Sequence, residues 1–476
     1  MFPDGFAILN RREALKTVAC GFGYLALRGL AQEAAAAEDP LAPKPPHHTP
    51  RAKRVIFIFM QGGPSHVDTF DYKPRLVRDD GKMFEFDDAR TLAKTRKIVK
   101  HRVMKSPWQF RPYGECGRRI SDLFPEIAKH ADDLCFLHGM HTEGIAHGPA
   151  TLFLHTGSIN LVRPSVGSWI TYGLGTENRN LPGFVTISPS MGNGGPRNYN
   201  NAFLPAAYQG TAIGRAGIPI RDAKIRDLVN NRLSLAEQRR QFELLQALNA
   251  DQLRQTGGTN AELEAVISSF ELAFRMQQHA PDVLDLSKES KETLALYGIG
   301  EKETDSFGRQ CLMARRLSEA GVRYVQINYG DNTNNPAWDQ HSNLPKHAFH
   351  ARATDKPVAG LLEDLKRRGL LDETIVWWGG EFGRTPYAQQ NGTGRDHNPD
   401  GFTVWLAGGG VKRGFAFGET DEFGHHAIRD KVHMHDLHAT ILHLLGMDHE
   451  KLTYRYAGRD FRLTDVAGRV VHEIIA

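Results

Sequence analysis

Arg54-Val55-Ile56-Phe57-Ile58-Phe59-Met60, followed at once by Gln61-Gly62-Gly63-Pro64, decides how this chain folds. Its apolar residues succeed one another without the polar alternation of a half-buried strand. A strand apolar on both faces belongs at the centre of a sheet covered on both sides, the usual setting of parallel strands. Similar runs recur at Leu134–Leu137, Phe184–Ile187, Tyr324–Ile327, Ile375–Trp378 and Phe402–Leu406. Stretches with helical spacing separate several of them, over Ser306–Ala320, Ala348–Arg368 and Asp436–Leu445, and Pro357 predicts a break or kink in the second. Strands alternating with helices predict an α/β three-layer sandwich with a mainly parallel sheet, occupying residues 53–476. Residues 233–278 stand apart: rich in Leu, Ala, Glu, Gln and Arg at helical spacing and interrupted at Gly257-Gly258, they read as a helical insertion that packs on the sheet or covers it.

With 40% hydrophobic and 24% charged residues, the 476-residue chain has the balance of a soluble globular protein and the length for a large core. The net charge of +4 comes from 59 basic and 55 acidic residues that are well mixed. No basic block suggests a nucleic-acid partner. At the N-terminus, Asn10-Arg11-Arg12-Glu13-Ala14-Leu15-Lys16 precedes the apolar run Val18–Leu27 and the small-residue stretch Ala31–Ala37. A charged start, a short apolar centre and an Ala-rich cleavage zone predict a signal peptide over residues 1–37. The paired arginines point to the twin-arginine export machinery and a periplasmic or cell-surface location. The apolar run is too short to span a bilayer, so no stable membrane span is expected. Residues 38–52, rich in Pro, His and Ala, read as a linker. Cys116, Cys135 and Cys311 are too few for a disulfide framework after cleavage, and nothing in the pattern supports a Cys116–Cys135 bridge.

Three polar clusters follow the later apolar runs: Trp338-Asp339-Gln340-His341, Gly379-Gly380-Glu381-Phe382-Gly383-Arg384 and Gly394-Arg395-Asp396-His397. Side chains at the carboxyl ends of strands build the ligand crevice of an open α/β sheet. Two imidazoles and a carboxylate are a standard donor set for a catalytic divalent metal, which makes Asp339, His341 and His397 candidate ligands; otherwise Trp338-Asp339-Gln340-His341 is a capped turn with a hydrogen-bonded imidazole. Glu381 reads as ligand or base, or as the cap of a helix. Arg384 and Arg395 offer planar forks for an anionic substrate, or else anchor loops by salt bridges. Ser65 and His66, in the turn after the first strand, are candidate substrate-binding groups, with Ser65 also a candidate nucleophile.

Val432-His433-Met434-His435-Asp436-Leu437-His438-Ala439-Thr440-Ile441-Leu442-His443-Leu444-Leu445-Gly446 resembles the strand-to-helix element near the end of sulfatases, where an Asp opens the helix. The apolar strand running into Gly62-Gly63-Pro64-Ser65-His66 resembles the first strand and metal loop of the alkaline phosphatase superfamily. Taken with the paired arginines and the three clusters, the chain resembles an uncharacterised twin-arginine-exported, sulfatase-like family, a domain of unknown function, within that superfamily. The resemblance covers nearly all of residues 53–470. It implies an alkaline phosphatase-like fold, a divalent metal such as zinc or calcium, and hydrolysis of a sulfate or phosphate ester on a small molecule or polysaccharide. It also implies a second metal site, whose positions here read Gln61, His147, Glu381 and Phe382. His147 lies nine residues before Thr156-Gly157, where the family pattern has a Cys, Ser or Thr nucleophile. Imidazole cannot become the aldehyde hydrate of a sulfatase. His147 is therefore left as ligand, as base or nucleophile, or as a structural histidine, and direct attack by water replaces a covalent intermediate. The rival implication is a non-catalytic surface or glycan-binding member of the superfamily.

Overall fold

The computed structural model describes residues 40–87, 98–223, 225, 232–255, 261–333, 335–389 and 392–476. The predicted signal peptide and Gly257-Gly258 lie outside the described residues.

Strand β1 (Arg54–Met60) is at the heart of the molecule, at most 3% exposed from Val55 to Met60. Two hairpins follow, β2 (Met83–Asp87) with β3 (Ile98–Arg102) and β4 (Phe110–Tyr113) with β5 (Arg118–Ser121). The chain continues through β6 (Leu134–His141), β7 (Phe184–Ile187), β8 (Thr211–Ile213), β9 (Tyr324–Tyr329), β10 (Thr374–Gly379), β11 (Gly383–Ala388), β12 (Arg395–Asn398), β13 (Phe402–Ala407) and β14 (Phe415–Phe417). Short strands β15 (Glu419–Thr420), β16 (Ala427–Arg429) and β17 (Val432–His433) close this part of the fold. The main sheet has nine strands in the order β14-β6-β13-β10-β1-β9-β7-β8, with β17 beside β6. All its pairings are parallel except those of β13, which runs against both β10 and β6.

Helices of nine residues or more are α1 (His147–Thr156), α2 (Val166–Leu174), α3 (Leu235–Gln255), α4 (Ala261–Leu284), α5 (Asp305–Glu319), α6 (His347–Arg367) and α7 (Met434–Leu444). They cover both faces. Strand alternation sends Phe57 and Trp377, stacked with centroids 3.8 Å apart, toward His155 of α1 and His438 of α7. Trp378 faces the other way, against Phe70 and Phe124. The fold is thus the three-layer α/β sandwich the apolar runs predict.

Two expectations change. Helix α6 runs unbroken across Pro357, because Thr354, Val358, Leu361 and Leu362 are all fully buried and packing outweighs the one hydrogen bond a proline forfeits. The segment read as a linker is fastened to the domain from residue 40 onward. Leu41 and Ala52 are buried, and the Arg51 and His48 amides donate to the carbonyls of Leu444 and Gly446. Its anchoring is mostly through the backbone, which composition does not reveal. Over 233–278 the structure has α3 and α4. Cys116, Cys135 and Cys311 are free thiols. No helix among the described residues is long and apolar enough to cross a membrane.

Sheet register sets up the site. Phe59 pairs with Gly379 on one side and Met60 with Tyr329 on the other. The loops after β1, β9 and β10 therefore leave the sheet at one level of its carboxyl edge.

Candidate metal centre

Four side chains from three places in the chain converge at that edge. His147 is the first residue of α1, Asp339 and His341 lie in the loop after β9, and His397 is on β12. Gly62 makes the approach possible. Its φ is +108°, and a Cβ there would lie 2.7 Å from the Asp339 amide nitrogen, so any side chain would push the ligand loop away.

The donor atoms close on one another. His341 Nε2 is 2.8 Å and His397 Nε2 3.4 Å from Asp339 Oδ1. His147 Nε2 is 3.1 Å from Asp339 Oδ2, and the two Nε2 atoms of His341 and His397 are 3.1 Å apart. Behind each ring an oxygen holds the other nitrogen: Glu381 Oε1 at 2.7 Å for His147, Gln389 Oε1 at 2.7 Å for His341 and the Ile145 carbonyl at 2.8 Å for His397. Each Nδ1 then carries the proton and donates it outward, which leaves three Nε2 lone pairs aimed at one point.

Burial would raise the Asp339 carboxyl, but the imidazoles and the Arg384 guanidinium outweigh it and keep it far below the usual carboxylate range. Burial pushes His397 down to about 4, so it is a neutral donor at ordinary pH. His147 is also desolvated, yet Asp339 and Glu381 hold it above the normal imidazole value. A buried ring between two carboxylates calls for a positive charge, supplied by a proton or by a cation. His147 Nε2 lies close to Asp339 Oδ2 but without the alignment of a hydrogen bond. In a tetrahedral zinc site with bonds of 2.0–2.1 Å the ligand atoms stand about 3.3 Å apart, and the separations here of 2.8–3.4 Å bracket that value. The residues present fit a divalent metal with three imidazoles and one carboxylate.

The remaining predicted residues sit around this centre in other roles. Glu381, wholly buried, accepts the Gly62 amide at 3.0 Å as well as His147, so it aims a ligand and does not face solvent. Gln61 stands outside the donor group, its amide oxygen packed against Gly330. Arg384 is no anion clamp: it is 1% exposed and donates to the carbonyls of Gly62, Gly63 and Arg395 and to Asp339 Oδ1. Arg395 is fully buried in a two-pronged pair with Asp68 and also donates to the carbonyls of Thr385 and Met104. Ser65 is fully buried and gives its hydroxyl to Asp68, so it is not an exposed nucleophile. His66, pushed down to about 4 by burial, bonds the Gly424 carbonyl and faces away from the crevice. Sequence reading missed Asp68, Gln389 and the Ile145 carbonyl. Of these only Gln389, five residues after Arg384 on the same strand-and-loop segment, left any trace near a motif. His435 and His438 bond the carbonyls of Gly157 and Leu154 and tie α7 to α1.

Fold and centre together define the class: an α/β sandwich with a His/Asp metal-type donor set at the carboxyl edge of its sheet. The chain belongs to the family described as Protein of unknown function (DUF1501), which matches residues 52–475. No curated protein matches it. Solved structures to which it is similar include the PsFucS1 sulfatase from Pseudoalteromonas sp., at 11% identity, covering 84% of this chain and 69% of that one with a TM-score of 0.36. A protein in the alkaline phosphatase superfamily from Vibrio parahaemolyticus is similar at 8% identity, 86% and 70% coverage and a TM-score of 0.34. The TAB5 alkaline phosphatase is similar at 9% identity, 84% and 99% coverage and a TM-score of 0.34.

Proposed function

We propose that this protein is an exported, metal-dependent hydrolase that cleaves a sulfate or phosphate ester without a Cys, Ser or Thr nucleophile. The observation that carries the reading is the convergence of three imidazole Nε2 atoms on Asp339, with an oxygen behind every ring. His147, Asp339, His341 and His397 would hold the ion. A divalent ion bound there would supply Lewis acidity toward an anionic ester. Glu381, Gln389 and Arg384 fix the ligands in place. His341 and Asp396, with side chains 21% and 13% exposed, form the edge open to water, and proton transfer belongs on that edge. Nearby, a cavity of about 440 Å³ is lined by Ser188, Arg221, Asn328, Tyr329 and Phe349 among others. Its wall at Gly330 touches Gln61, and with Arg221 and Glu303 both in its lining it offers room for the organic part of such an ester. The paired arginines at the start of the chain support export to the periplasm or cell surface through the twin-arginine machinery.

One observation favours a second reading, a glycan-binding member without turnover. Four protein donors close a tetrahedron, whereas catalytic zinc sites keep a position open. Elemental analysis followed by a panel of aryl and saccharide sulfates and phosphates separates the two. Stoichiometric metal with turnover that Asp339→Ala removes supports the hydrolase. Stoichiometric metal with saccharide affinity and no turnover supports the binder. A protein without stoichiometric metal, whose turnover is unchanged in Asp339→Ala, would sink the metal mechanism.

A further inference from the structure

A second group of donors lies away from this centre, where the β2–β3 hairpin meets the loop between β15 and β16. Asp87 ends β2, and His425 and His426 stand in the loop. His426 Nε2 is 2.6 Å and His425 Nε2 3.3 Å from the same oxygen, Asp87 Oδ1. The Asp87 carbonyl oxygen is a further 3.0 Å from His425 Nε2. All three side-chain donors fall within 4.8 Å of one another.

The loop is built to hold this pose. The Asp421 carboxylate accepts the amides of Phe423, His425 and His426. That is a preformed turn, and it sends two consecutive imidazoles in one direction where adjacent side chains would normally diverge. His425 is 2% exposed and is walled in by the rings of Phe86 and Tyr387. With neutral rings, hydrogen bonds alone leave lone pairs in the group unmatched. If both rings donate from Nε2 to Asp87, both Nδ1 atoms must accept. His425 Nδ1 is buried with no donor in reach, and His426 Nδ1 faces the Asp400 carboxylate at 3.9 Å, which is itself an acceptor. Reversing the His426 tautomer to suit Asp400 turns its Nε2 lone pair onto a carboxylate oxygen only 2.6 Å away. A divalent cation bound at Nε2 settles the His426 end, because Nδ1 then carries the proton and turns it toward Asp400.

We infer that Asp87, His425 and His426, with the Asp87 carbonyl, form a second divalent-metal site of the zinc class. Two imidazoles, a carboxylate and a carbonyl oxygen suit that ion, and the His425 separations of 3.0 and 3.3 Å fall within the spacing seen at the first centre. Its role is structural. The β2–β3 hairpin is attached through a small satellite core of Val67, Leu76, Phe86, Val103 and Tyr387, and a metal clasp adds the cross-link such a core lacks. The same loop is held from the other side by Asn398, which donates to the Gly424 and His425 carbonyls and is the neighbour of His397 on β12. The clasp therefore also braces the strand that carries a ligand of the first centre.

The test is anomalous scattering at the zinc edge from crystals of the full chain grown with zinc. A peak between Asp87, His425 and His426 is the expected result. Absence of a peak there overturns the inference, whatever is found at Asp339, so the two sites fail or stand separately. In solution, His426→Ala should bind one zinc fewer per chain than the unaltered protein, and His341→Ala should keep the ion at this site. Equal zinc content in His426→Ala and the unaltered protein also overturns it. The crystal measurement needs no variant, so a misfolded substitution leaves the question open to decision.

Discussion

The two histidine clusters use the same chemistry and differ in what stands behind the rings. Around Asp339 every imidazole has an oxygen 2.7–2.8 Å from its Nδ1, and the site is wedged between loops that a buried sheet holds in register. Around Asp87 the order comes from a turn: Asp421 fixes the backbone, His425 Nδ1 has no partner, and His426 is 29% exposed. Outer hydrogen bonds orient ligands and raise their basicity, so the first cluster is prepared to bind tightly and the second to bind conditionally. With metal bound as proposed, the sheet edge would be an affinity site and the hairpin junction a clasp.

That contrast is broken most directly at its strongest point. Asp339→Ala should abolish metal uptake at the first centre and cost about 3–5 kcal/mol, since it strands the buried Arg384 guanidinium. Metal analysis and chemical denaturation check both parts. Retention of that metal would erase the distinction. Asp68→Ala should cost a similar or somewhat smaller amount, about 3 kcal/mol, by stranding Arg395, while leaving the metal donors themselves intact. Gln389→Ala should lower metal affinity about 10–100-fold with little change in stability, read by competition with a chelating dye. At the second cluster, His426→Ala should cost only about 0.5–1 kcal/mol in metal-free protein, because the ring is partly exposed, and should chiefly raise the rate of proteolysis in the β2–β3 hairpin.

The smallest effect is one of pH. Burial lowers the His147 ring, but the adjoining carboxylates of Asp339 and Glu381 raise its value in the metal-free fold above the ordinary imidazole range. A raised value means that the folded form holds the proton more firmly than the unfolded chain does. The resulting stability is complete below about 6.5 and is lost as pH climbs through the raised value. Metal-free protein should therefore lose melting temperature from pH 6.5 upward, and loaded protein should lose less, since the cation takes the place of the proton. Parallel curves for the two forms would show that His147 is not shared between proton and metal.

How much of this was legible in sequence depends on the range of the interaction. Strand β1 announced itself because a continuous apolar run has few other places to go, and the motifs ending in Glu381 and His397 stood out because polar groups directly after such runs sit at the sheet edge. For Arg384 and Arg395 the choice between anion clamp and loop anchor stays open in sequence because nothing local says that an arginine is buried; their carbonyl partners come from Gly62, Gly63 and Met104, roughly three hundred residues away. Pro357 does not break α6, and the packing that carries the helix across it is not displayed by a sequence. The Asp87 cluster was invisible for the same reason as the arginine contacts. His425-His426 is a visible pair, but 338 residues separate His425 from Asp87, and no spacing rule spans that distance.

The bonds from Arg384 to the carbonyls of Gly62 and Gly63 have a consequence in time. They join positions 322 and 321 residues apart. At a synthesis rate of roughly 5–20 residues per second, the glycine turn leaves the ribosome some tens of seconds before its arginine exists. Until then the turn after β1 has neither Glu381 on its amide nor Arg384 on its carbonyls, and His147 waits beside it without a second carboxylate. The donor set around Asp339 is therefore complete only late in folding. An ion bound there would mark a chain that has been finished.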